Sequence, residues 1–139
     1  MTFTNAELKR RALYRVAFIL HQQWEESGGG DTRLFDWLVN DDFVYIGTSI
    51  KGSDYREHVV PRAVIRDLCI QQFEKGKDAN DVVDLIDELL MIARISKEEA
   101  DHLDHTLGYK STMPPDWKYG HGDNRRRLIE AGIKLEKNV

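Results

Sequence analysis

Between Asp78 and Ala93 the apolar residues Val82, Val83, Ile86, Leu89, Leu90 and Ala93 recur at helical spacing, and Asp81, Asp84, Asp87 and Glu88 fill the positions between them. Only an α-helix collects the first set on one side and the acids on the other. The first thirty residues repeat the pattern. Leu8, Leu13, Val16, Leu20 and Trp24 form a stripe that Phe18 and Ile19 widen, and Lys9, Arg10, Arg11 and Arg15 form the polar side. Thr4 and Glu7 stand at capping-box spacing, with Phe3 and Leu8 as the flanking hydrophobic pair. Gly28-Gly29-Gly30 breaks the helix. Helices striped in this way must bury their apolar sides against one another.

The rest of the chain reads as shorter elements. Asp31 caps a helix carrying Leu34, Phe35, Leu38 and Val39. Phe43 to Thr48 is β-branched and aromatic, Lys51-Gly52-Ser53-Asp54 supplies turn residues, and Tyr55 to Val60 returns, so a β-hairpin is expected. Pro61 starts a helix bearing Val64, Ile65, Leu68, Cys69 and Phe73, which Gly76 stops. Ser96 and Glu99 form a second capping box, for a helix with Ala100, Leu103 and Leu107 inward. Residues 109–122 form an ordered loop anchored by Trp117 and Tyr119, and a last helix covers about 123–131. The expected fold is mainly α: a single compact helical domain over residues 1–139, with about six helices and one small β-hairpin near residues 43–60.

Charge and cysteine count narrow the function classes. The 139 residues carry 20 Lys and Arg against 24 Asp and Glu, a formal net charge of -4. A protein held to duplex DNA by phosphate neutralisation is usually basic, so duplex binding is not expected. One Cys forms no internal disulfide. No apolar run is long enough to span a bilayer, and the N-terminus lacks the order of a signal peptide. The expectation is a soluble cytoplasmic protein without membrane association.

One short segment carries a chemical signal. Glu57-His58-Val59-Val60-Pro61 resembles the Asp-His-Val/Ile-x-Pro element of HNH, or His-Me finger, nucleases. The resemblance implies a metal-dependent phosphodiester hydrolase. His58 would be the general base, and Glu57, in place of the usual Asp, would hold a divalent metal, the one cofactor expected on this reading. The family also has a second strand after the His, then an Asn, then a metal-binding His or Asn on the helix. Here a helix follows Pro61 directly and offers Asp67, Gln71 and Gln72. The other reading of His58 is a half-buried strand residue whose ring bonds a neighbour.

Further candidates lie near the C-terminus. His102 and His105 sit with Glu99 and Asp101 at helical spacing, a pair able to hold one metal ion but short of a di-iron set. Ion pairs on a solvated helix face are the plainer reading. A helix-turn-helix reading of the same region fails, because Glu98, Glu99, Asp101 and Asp104 would meet phosphates. Arg125, Arg126 and Arg127 are expected to face solvent or to pair with the acidic fourth helix. Cys69, on an apolar helix side, reads as core.

No complete catalytic set is visible, so a binding protein is the leading expectation and a nuclease the alternative. Its partner would be a protein with a basic surface. The contacts would be Asp84 and Asp87 on the acidic helix and Trp117 and Tyr119 in the aromatic loop. Small inhibitors or regulators of nucleic-acid-processing and defence complexes share this character.

Overall fold

A computed structural model describes residues 2–136. Helix α1 runs Asn5–Ser27, and its first turn is closed as the sequence dictates. The Glu7 amide donates to Thr4 Oγ1 at 3.1 Å, and the Thr4 amide donates to the Glu7 carboxylate at 3.0 Å. Gly28 ends it in the left-handed conformation at φ 77°, which costs a glycine nothing. Gly30 packs closely for a different reason: a Cβ there would lie 2.8 Å from Leu20 Cδ2, so the Leu20 side chain would have to shift. Helices α2 (Leu34–Leu38), α3 (Arg62–Glu74), α4 (Ala79–Leu89), α5 (Lys97–Asp101) and α6 (Arg126–Glu130) follow. About 52% of the described residues are helical, a 3-10 turn at Asp41–Phe43 and a π turn at His102–Thr106 included.

The chain forms two compact units, each assembled from separated stretches of sequence. One contains residues up to Val44 together with Ile65–Leu90; the other contains Tyr45–Val64 and everything from Met91 onward.

In the first unit α1 packs along α4. The buried stripe of α1 comprises Ala12, Leu13, Val16, Ala17 and Leu20, and that of α4 comprises Ala79, Val82, Val83, Leu85, Ile86 and Leu89. Phe73 of α3 sits against the rings of His21 and Trp24, at centroid distances of 4.8 and 5.7 Å. Leu68, expected inside, is half-buried. Phe18, expected to widen the apolar side of α1, points to solvent.

The second unit holds a mixed sheet rather than the expected hairpin. Strand β1 is Tyr45–Thr48, β2 is Tyr55–His58 and β3 is Ile92–Ile95, in the order β1-β3-β2. The two strands expected to pair with each other are separated by β3, which runs parallel to β1 and antiparallel to β2. The residues responsible are those assigned above to the end of the acidic helix. Helix α4 stops at Leu89, Leu90 turns extended, and Ile92-Ala93-Arg94-Ile95 continues as strand. A strand with partners on both edges satisfies its own backbone groups, and three of its four side chains are buried, so it shows no alternation to betray it. Val59, Ala93, Ile95, Ala100, Leu103, Leu128 and Ile133 form the core beneath it. The chain near the C-terminus runs beside the end of β1, where the Glu136 amide donates to Thr48 O at 2.7 Å.

Candidate functional site

The nuclease-like segment ends β2, where side chains alternate between sheet faces. Glu57 points inward and is buried; Arg56 and His58 lie on the other face, with Arg56 Nη1 3.4 Å from His58 Nε2. What meets Glu57 is Arg127, from the first turn of α6. The guanidinium is fully buried, and every contact is an oxygen. Nη2 donates to Glu57 Oε1 at 3.0 Å and to Tyr109 O at 2.6 Å, Nε donates to Tyr109 O, and Nη1 donates to the carbonyls of His58 and Val59 at 2.8 and 3.1 Å. The expectation that all three arginines face solvent or pair with α4 is therefore corrected at Arg127. Arg126 pairs instead with Asp116 and Glu130, at 2.9 Å each. An arginine buries its charge only where acceptors surround its fork, and the carbonyls of His58 and Val59 at the end of β2 help to supply them.

The Glu57 carboxylate faces the Arg127 guanidinium from within the core. Burial raises its pKa above the ordinary carboxylate range, a shift that Arg127 opposes and nearby Asp104 reinforces.

No protein-family model, curated protein or solved structure matches this chain.

The histidines of the second candidate pair sit on a π-helical turn, His102–Thr106, closed by the Leu107 amide on His102 O at 2.9 Å. In that wider winding a three-residue step no longer stacks side chains as it does on an α-helix. His102 is half-buried and His105 exposed, and the Glu99 carboxylate is bonded to the Ser96 amide. Among the described residues, no group of three or more His, Cys, Asp or Glu side chains is placed to hold a metal ion. Cys69 is buried on α3, and burial pushes its thiol up to about 12.

The four expected binding residues fall in different units. Trp117 and Tyr119, both half-buried, belong to the second unit, in a loop where the Trp117 amide donates to Pro114 O. Asp84 and Asp87 belong to the first and project from α4 toward α1. Arg10 donates to Asp84 at 2.8 Å, and Lys9 reaches Asp87 at 2.9 Å. The Asp84 side chain is nonetheless 82% exposed.

Beside this acid ridge lies a surface that the sequence reading passed over. Phe3, Tyr14 and Phe18 are exposed large side chains of α1 and its lead-in. Arg11 stacks over Phe3 at 4.3 Å, and the rings of Tyr14 and Phe18 stack at 6.1 Å. Positions 7, 11, 14 and 18 share one helix face, so a helical wheel centred on the polar side would have found them. The pattern was masked by assigning Phe18 to the core stripe. Arginine and aromatic side chains interleaved on an exposed face are the composition of an interface centre.

Proposed function

We propose that this chain is a binding protein that engages a protein partner through the α1–α4 face of its first unit. The carrying observation is the adjacency of two stripes of opposite charge. Asp81, Asp84, Asp87 and Glu88 line the exposed edge of α4, and Arg10, Arg11 and Arg15 line α1 beside them. A partner with basic residues opposite the α4 ridge is attracted at long range and held in one register, because a shifted register would bring like charges together. Exposed Tyr14 and Phe18 add apolar area that water leaves on contact. A regulator or inhibitor that acts by occupying a larger complex needs no more chemistry than this.

The test is capture of a partner with the full chain as bait, identification of that partner, and measurement of its association with the wild type and with the Asp84→Lys/Asp87→Lys variant. The expected partner presents a basic surface, and the variant associates at least about tenfold more slowly at low salt. An association rate untouched by the double reversal would overturn the reading. Metal-dependent phosphodiester cleavage lost in His58→Ala would do the same.

A further inference from the structure

We infer that the cleft between α1 and α4 binds an acidic segment of a polypeptide, seating a carboxylate among arginines beside an apolar side chain. The inference rests on the protein-binding reading above and assigns the partner a second, oppositely charged contact. The two helices run antiparallel, since Lys9 meets Asp87 and Arg10 meets Asp84, so the residues after Arg10 lie over the start of α4. There they enclose a cleft of about 510 Å³ lined by Arg10, Arg11, Tyr14, Arg15, Asn80 and Val83. That volume is in the range of pockets that receive a small ligand or an anchoring side chain.

The lining chemistry selects an anion with an apolar neighbour. Arg10 is shared with Asp84 and Arg11 with the Phe3 ring, whereas Arg15 makes no ion pair among the described residues. Guanidinium groups present paired N–H donors that match a carboxylate. The Asn80 amide adds a further donor and acceptor, and Tyr14 supplies an apolar wall beside the buried Val83. The cleft continues along α1 into a second hollow of about 400 Å³, lined by Phe3, Ala6, Glu7, Arg10 and Arg11, so an extended segment has a track to follow.

Charge placement separates a peptide from a nucleic acid. A single strand carries a phosphate at every nucleotide, and a path along α1 toward its start meets Glu7 while one across α4 meets that helix's acids. A peptide places its carboxylates only where the arginines are and leaves neutral residues elsewhere. The overall charge of -4 adds to the repulsion of a polyanion.

The probe is a short fluorescein-labelled peptide in which Asp and Glu alternate with Phe and Leu, compared by anisotropy with its Asn/Gln counterpart and with a single-stranded oligothymidylate. The acidic peptide is expected to bind at least about tenfold more tightly than either comparison. Arg11→Gln/Arg15→Gln should lose that preference while keeping the helical circular dichroism of the wild type. Amide shifts on titration should centre on Arg11, Tyr14, Arg15, Asn80 and Val83. Equal binding of the amide peptide, tighter binding of the oligonucleotide, no binding at all, or insensitivity to the arginine substitutions would each overturn the inference. If the acidic peptide fails while a captured partner still depends on Asp84 and Asp87, the cleft assignment falls and the binding-protein reading stands.

Discussion

Arg127 and Glu57 meet at 3.0 Å across 70 positions of sequence, both buried in the second unit. The pair joins the end of β2 to α6, and the same guanidinium satisfies the carbonyls of His58, Val59 and Tyr109. Removing one partner strands the other in a dry place. Arg127→Met is expected to destabilise the protein by about 3–5 kcal/mol in urea unfolding, and Glu57→Gln, which keeps an acceptor oxygen, by less. Equal, sub-kilocalorie losses would show that the guanidinium is solvated.

Glu57 also sets a pH dependence with a definite sign. Its folded pKa is raised, chiefly by burial, so the folded protein holds that proton at pH values where the unfolded chain has released it. Stability from this group is fully present below the ordinary carboxylate range and is lost as pH rises through the higher folded value. The stability of the wild type relative to Glu57→Gln should therefore fall as pH rises through and above the ordinary carboxylate range. A rise over that window would mean that attraction to Arg127 outweighs burial.

Local signals were legible in the sequence, and long-range ones were not. Thr4 with Glu7 and Ser96 with Glu99 cap their helices because each box is complete within four residues. Strand β3 was hidden, since its two neighbours lie far back in the chain and its burial erases the period-2 pattern. Arg125, Arg126 and Arg127 are equivalent as letters. Only the position of the β2 carbonyls, fixed by tertiary structure, makes the third one internal. For the same reason the contact of Arg127 with the Glu57 carboxylate and the His58 carbonyl cannot be read from the Glu57-His58 segment alone.

Leu89 is fully buried in the last turn of α4. Leu89→Ala should cost about 2–5 kcal/mol, with the spread set by how far the surrounding side chains collapse into the cavity. Unfolding with denaturant measures it, and a loss under half a kilocalorie would place the residue at the surface.

Cys69 gives a probe of opening in the first unit. A fully buried thiol with a pKa near 12 presents almost no thiolate at neutral pH. Labelling by a disulfide reagent should proceed only as fast as the unit opens, and should slow as stabilising salts or osmolytes are added. Immediate stoichiometric labelling of the native protein would contradict the burial.

The Lys9–Asp87 and Arg10–Asp84 pairs determine how available the acid ridge is to a partner. Both are solvent-exposed: the side chains are 30% and 43% accessible in the first pair and more in the second. Pairs in such positions contribute about 0–1 kcal/mol each, because water screens the attraction and two long side chains must be held still. A double-mutant cycle on Lys9→Ala and Asp87→Ala, read by urea unfolding, should return a coupling energy in that range and shrink it in high salt. At that size a partner's arginine or lysine displaces the intramolecular cation for less than about a tenfold loss of affinity. A salt-insensitive coupling above about 2 kcal/mol would instead make α1 and α4 a closed electrostatic unit. Asp87 would then be spent on the fold, and recognition would pass to the arginines of α1.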